Sequence, residues 1–192
     1  MKTISLLLGL LLTSCANYAL AQSVAQPGSI KGDIAAFHGD RDTLVDTIQA
    51  TERSTGGRVL DIRFSDANGM PGYHAVVIKD GQVEFVRVEE VSKKVIGLDA
   101  SSRPVWMLSW RDEADVHYAK QATVSLANAI RAAEQSQNGA PAAAAGIARS
   151  ASNQESKVHA YTVLVVVGGE VHSVSIDSSN GEVIADPSTL TY

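Results

Sequence analysis

Apolar side chains recur along this chain at two spacings, one helical and one extended, in a fixed order. Leu44, Val45 and Ile48 share one face of a 3.6-residue period, with Thr43 and Asp46 at capping-box spacing before them and a stop at Gly56-Gly57. These positions predict a short amphipathic helix. Leu60, Ile62 and Phe64 then alternate with Asp61 and Arg63, the period of a strand with one buried face. Asn68-Gly69 and Pro71-Gly72 mark a loop. Tyr73 to Lys79 and Gln82 to Glu90 are β-rich runs around Asp80-Gly81, a pair that tolerates positive φ and so suits a two-residue hairpin. Val95 and Ile96 predict a short last strand, and Asp33 to Phe37 an additional helical turn.

The same order follows again. Ser125 is placed to cap a helix whose apolar face carries Leu126, Ala129, Ile130 and Ala133, with Asn138-Gly139 as its stop. Val158 to Val167 and Glu170 to Asp177 flank Gly168-Gly169, and Asn180-Gly181 makes a turn before Glu182 to Ala185. Between helix and hairpin, Ala140 to Ala148 is alanine-rich. Alanine forms strands poorly, so the strand matching Leu60 to Phe64 is expected to be missing or frayed.

The two passages can be aligned. Leu44, Ile48, Glu52 and Gly57 recur as Leu126, Ile130, Glu134 and Gly139 at an offset of 82 residues. Ile62, His74 and Ala75 recur as Ile147, His159 and Ala160 at 85, and Gly81, Val86 and Val95 as Gly169, Val174 and Val183 at 88. The reading is duplication of one unit of about 60 residues, a size at which a single core is marginal and docking helps. The expected fold class is α+β, with two repeated units, each a helix packed on a small antiparallel β-sheet. The expected organisation is a signal peptide over 1–21, an N-terminal segment over 22–42, a first unit over 43–100, a connector over 101–122 and a second unit over 123–192.

The connector holds both tryptophans. Trp106, Leu108 and Trp110 alternate, which suits a strand that packs the units together or an aromatic recognition surface for a peptide partner. Trp106 and Trp110 are the candidate partner-binding residues. Asp112, Glu113 and Asp115 read as a solvated face.

Composition changes the picture at the N-terminus. Lys2, the apolar run Leu6 to Leu12 and Ala19-Leu20-Ala21 have the basic, apolar and small-residue regions of a secretory signal peptide. The apolar run is about half of the ~20 residues that a membrane span needs, so no transmembrane span is expected after processing. Leu12-Thr13-Ser14-Cys15 also has the form of a lipobox, which would put lipidation at Cys15 in place of cleavage after Ala21. Both readings place the protein outside the cytoplasm, in the periplasm or cell envelope. Cys15 is the single cysteine, so the chain has no intramolecular disulfide. Lys and Arg number 16 against 21 acidic residues, and no basic cluster stands out, which argues against nucleic-acid binding.

Sequence motifs for catalysis are absent. There is no Gly-x-Ser-x-Gly elbow, no phosphate-binding glycine loop and no dinucleotide fingerprint. The five histidines, His38, His74, His117, His159 and His172, include no pair at the i, i+4 spacing of a helical zinc motif. No catalytic residue, cofactor or metal site is expected.

The pattern of a Leu-x-x-x-Ile helix face, a glycine, a β-hairpin and a closing Asp-x-x-x-Gly-Glu-Val resembles the PepSY domain. It is clearest in Ser125-Leu126-Ala127-Asn128-Ala129-Ile130 and in Val174-Ser175-Ile176-Asp177 through Gly181-Glu182-Val183-Ile184. In the first passage the close is Val88 to Val95, with Lys93 where the family has its turn glycine. The resemblance implies a non-catalytic module that engages or restrains an envelope peptidase or another peptide partner. The alternative is a structural or assembly component of the cell envelope, as a lipoprotein if Cys15 is acylated.

Overall fold

The computed structural model describes residues 33–67, 69–104, 110–149 and 159–184. Three helices are present there, α1 (Thr43–Thr55), α2 (Trp110–Gln121) and α3 (Leu126–Ser136). The strands are β1 (Arg58–Ala67), β2 (Met70–Lys79), β3 (Gln82–Glu89), β4 (Val95–Pro104), β5 (Ala142–Arg149), β6 (His159–Val167), β7 (Glu170–Asp177) and β8 (Val183–Ile184).

All eight strands belong to one antiparallel sheet in the order β4-β3-β2-β1-β5-β6-β7-β8. This overturns the expectation of two units that each hold a helix on a separate small sheet. The cause is the seam between β1 and β5, where Asp61, Ile62 and Arg63 face Gly146, Ala145 and Ala144. Each of these strands would otherwise be an edge with unpaired main-chain groups, and pairing removes both edges. The seam also completes a row of buried apolar side chains across six strands: Val86, Ala75, Ile62, Ala145, Val163 and Val174.

The alanine-rich segment forms β5, so the expected loss of that strand is a second correction. Ala142, Ala143, Ala144 and Ala145 are all fully buried. With α2 and α3 both packed against β5, small side chains suit a strand confined on two sides. Tertiary packing here overrides a poor intrinsic preference.

The α1 and α3 helices pack against each other and on one sheet face. Leu44, Val45, Ile48, Ala129, Ile130 and Ala133 join the main core with Phe64, Tyr73 and Tyr161. Phe64 stands edge-on between Phe37 and Tyr73, at centroid distances of 5.2 and 5.7 Å. Thr47 and Thr51 are also buried on α1, where their hydroxyls donate to the carbonyls of Thr43 and Thr47 at 2.8 and 2.7 Å. That local bond lets a polar residue occupy a core face.

The remaining helix, α2, lies on the opposite face, where Val116 and Ala119 pack with Leu60, Val76 and Val83. Trp110 begins this helix, so the expected strand through Trp106, Leu108 and Trp110 does not extend to its third member. The acidic run Asp112, Glu113 and Asp115 is likewise helical. The turn foreseen at Asp33 to Phe37 is a 3-10 helix over Ile34–Ala36.

Caps and turns fix the ends of these elements. Ser125 accepts the Asn128 N–H at 3.2 Å, as an N-cap does. At α1 the cap position falls to Asp42, which adopts φ 65°, while Thr43 is the first helical residue and its hydroxyl accepts from the Asp40 N–H. Lys93 takes φ 56° itself, so the missing glycine does not abolish the turn. The turn is closed by Glu89 N–H to Lys94 O and Lys93 N–H to Glu89 O, and Asp177, Glu182 and Gly181 make the corresponding bonds after β7.

Glu134 ties three elements together. It is fully buried, and its Oε1 accepts the Ala142 N–H at 2.9 Å while Oε2 accepts the Asp42 N–H at 3.2 Å. A carboxylate on α3 thereby fixes the starts of β5 and of α1. Burial pushes its pKa up, against the lowering effect of the two backbone donors. Glu52 holds only the strand start, accepting the Val59 N–H at 3.0 Å.

Because the sheet is continuous, urea unfolding followed by circular dichroism and by tryptophan fluorescence is expected to show one coincident transition. Ala145→Leu overfills the seam beneath the helices and is expected to cost about 1–3 kcal/mol. Two separated transitions in the native chain would show that the halves fold independently.

Candidate binding groove

Where α2 ends, its last turn faces the start of β6 and the turn after β7. Tyr118, Gln121, Ala122, His159, Asp177, Ser178 and Ser179 line a groove of about 230 Å³ there. Backbone bonds hold its frame: Val124 N–H donates to Ser178 O and Ser178 N–H to His159 O, both at 3.0 Å. The Tyr161 hydroxyl donates to Val124 O at 2.9 Å, tying the α2–α3 connection to the sheet.

One wall is aromatic. The Tyr118 and His159 rings stack with centroids 3.6 Å apart and planes inclined by 23°. One turn before Gln121 on the helix, His117 Nε2 lies 3.0 Å from Gln121 Nε2, and its ring meets that of Tyr118 edge-on at 5.9 Å. The opposite wall is the turn after β7, where Asp177 Oδ1 accepts from the Ser179 N–H at 2.7 Å and from the Ser179 hydroxyl at 2.5 Å. These bonds hold the Asp177 carboxyl below its ordinary pKa, the hydroxyl contributing most and the amide next.

The groove can stack an aromatic or planar group and offer amide and hydroxyl contacts. Its volume is below the roughly 300–1,000 Å³ of sites that enclose a drug-sized ligand, and is better matched to a side chain. Among the described residues, no three His, Cys, Asp or Glu side chains gather as a metal-binding group.

The residues singled out from sequence are not brought together here. Trp106 and Cys15 lie outside the described residues. Trp110 stands at the first turn of α2, with the groove at the helix's other end. Of the equivalent histidines, His159 reaches the groove while His74 lies on β2 in the middle of the sheet. His172 faces Val165 and does not pair with His159. Sequence hides the groove because the alternation of Trp106, Leu108 and Trp110 points to a strand or connector where the helical wall begins, although Val116 and Ala119 carry the i, i+3 spacing of a helix face.

Asp177 gives a pH test with a definite sign. Its folded pKa is depressed, so its contribution to the turn is present above the ordinary aspartate value of about 3.9 and is lost as pH falls through the folded value. The Ser179 amide resonance is expected to move in one step below that ordinary value, and Asp177→Asn to abolish the step.

No family model matches this chain, and no curated protein matches it. Among solved structures, a candidate lipoprotein from Clostridium difficile 630 is similar over 77% of this chain and 93% of that one, with 13% identity and a TM-score of 0.43. Among the described residues, no helix is long and apolar enough to cross a membrane.

Proposed function

We propose that this protein is an exported, non-catalytic binding component of the cell envelope that takes up an extended segment of a protein partner at the edge of its sheet. The observation that carries the reading is the asymmetry of the β7 edge. Strand β8 pairs only with Ser175 and Ile176, so residues 170–174 of β7 carry no strand on their outer side among the described residues. That stretch contains no lysine, no proline and no bulge, and its single carboxylate, Glu170, sits at the hairpin end. The other outer strand, β4, ends at Pro104, and its pairing with β3 is broken by two register shifts.

An incoming strand would gain main-chain hydrogen bonds at β7 with few demands on its side chains. The leader-like N-terminus supports export, and the resemblance to PepSY domains supports a peptide or peptidase as partner. Screening the mature protein against immobilised extended peptides is expected to find binders in the micromolar range. Ser173 is exposed on this edge, and Ser173→Lys is expected to weaken them by about tenfold by placing a charge on the edge. Absence of peptide capture would overturn the reading, and binding that survives the substitution would move the site away from β7.

A second reading, a structural or assembly component tethered by lipid, rests on Leu12-Thr13-Ser14-Cys15. Intact mass spectrometry separates the two forms. A chain that starts at Cys15 with an acyl increment supports the tether, and one that starts at Gln22 removes it.

A further inference from the structure

The groove between the end of α2 and the turn after β7 draws cation-attracting character from three separate features. Asp177 is the one carboxylate among the residues that line it, and none of those residues is Lys or Arg. We propose that the groove is a guanidinium site that takes an arginine side chain of a protein partner. The assignment rests on the reading of the chain as a protein-binding component but not on the β7 edge, which an arginine side chain alone does not engage.

The first feature is the Asp177 carboxylate. Both Ser179 donors bond its Oδ1, so Oδ2 is left for a donor from outside. Those two bonds, with a smaller contribution from the Asn180 amide, hold the carboxyl below its ordinary pKa and keep it ionised at neutral pH. A charged acceptor makes shorter and stronger hydrogen bonds than a neutral one, and a guanidinium brings its donors as a planar fork.

The second feature is the end of the helix. Tyr118 and Gln121 of the last turn of α2 form one wall, and Ala122 follows them. Aligned peptide dipoles leave about half a negative charge at a helix C-terminus. The Ala122 N–H closes on Tyr118 O at 3.0 Å, so the last carbonyls stay in register beside the groove. Lys120 in the same turn is exposed and is not among the lining residues.

The third feature is aromatic. The stacked Tyr118 and His159 rings supply a planar surface along which a guanidinium can lie, and an ammonium, which is compact and more strongly hydrated, gains less from it. A volume of about 230 Å³ suits one long side chain. The same features disfavour an anion, which would meet Asp177 and the helix end together. A formal net charge of −5 favours the approach of a cationic segment to the molecule as a whole.

The experiment is a titration of the mature protein with N-acetyl-arginine amide at neutral pH and constant ionic strength, read from the amide resonances of Gln121, Ser178 and Ser179. Saturable shifts with half-saturation in the millimolar range are expected, and the lysine counterpart is expected to bind about threefold more weakly. Asp177→Asn keeps an Oδ1 acceptor for Ser179, and so the turn, but loses the charge, and is expected to weaken arginine binding by about tenfold. Tyr118→Leu is expected to weaken it by about threefold. Asp80→Asn removes the same charge from the β2–β3 hairpin, where asparagine also tolerates the positive φ, and is expected to leave binding unchanged. Equal binding of the lysine counterpart, or arginine binding that survives Asp177→Asn, would overturn the proposal. Free arginine carries a carboxylate of its own and is expected to bind more weakly than the blocked form. Tighter binding of free arginine would make the free amino acid the ligand and overturn the assignment to a protein partner. Capture of extended peptides that lack arginine reads the β7 edge alone, so failure there and failure here are told apart.

Discussion

The structure depends on three consecutive pairings between β1 and β5. Asp61, Ile62 and Arg63 meet Gly146, Ala145 and Ala144, and through that short contact two four-strand halves become one sheet. The row from Val86 to Val174 is continuous only because Ile62 and Ala145 stand next to each other at its centre. A shift of one residue in this pairing would turn every side chain of one half to the wrong face. The packing of α1 against α3 over the seam, and the two-faced burial of β5, follow from the same contact.

Polar groups specify where that apolar sheet begins. Glu134 spends both carboxylate oxygens on backbone donors, one at the start of β5 and one beside α1, so that it links the halves. Removing the carboxylate would leave the buried Ala142 N–H and the part-buried Asp42 N–H without their acceptor, which is more costly than never having built the pair. Thr47 and Thr51 solve a milder form of the same problem by returning their hydroxyls to α1 itself.

The two sheet faces and the sheet edge divide the chemistry of the molecule. The face under α1 and α3 is filled by the aromatic contacts of Phe37, Phe64 and Tyr73 and by aliphatic side chains, and serves as the core. The other face carries an apolar patch beneath α2. The edge at β7 carries main-chain groups, and the groove of Tyr118 and His159 lies at the end of the same strand.

Sequence alone determined the local grammar. The Leu44 and Ile48 face, the Ser125 cap, the Asp80-Gly81 hairpin and the alternation in β1 depend on neighbours a few residues away, and those neighbours are written next to each other in the chain. Tertiary structure decided what local patterns cannot encode. Ala142 to Ala145 form a strand because helices enclose it, Lys93 accepts a positive φ because the turn around it is closed by backbone bonds, and Trp110 belongs to a helix whose buried face is set by Leu60, Val76 and Val83. The groove joins residues that the alternation of a strand or the turn of a helix could place on a face, but not beside one another. Pairing register across the sheet did that, because a period of two fixes the face of each residue and leaves its neighbour on the next strand undetermined.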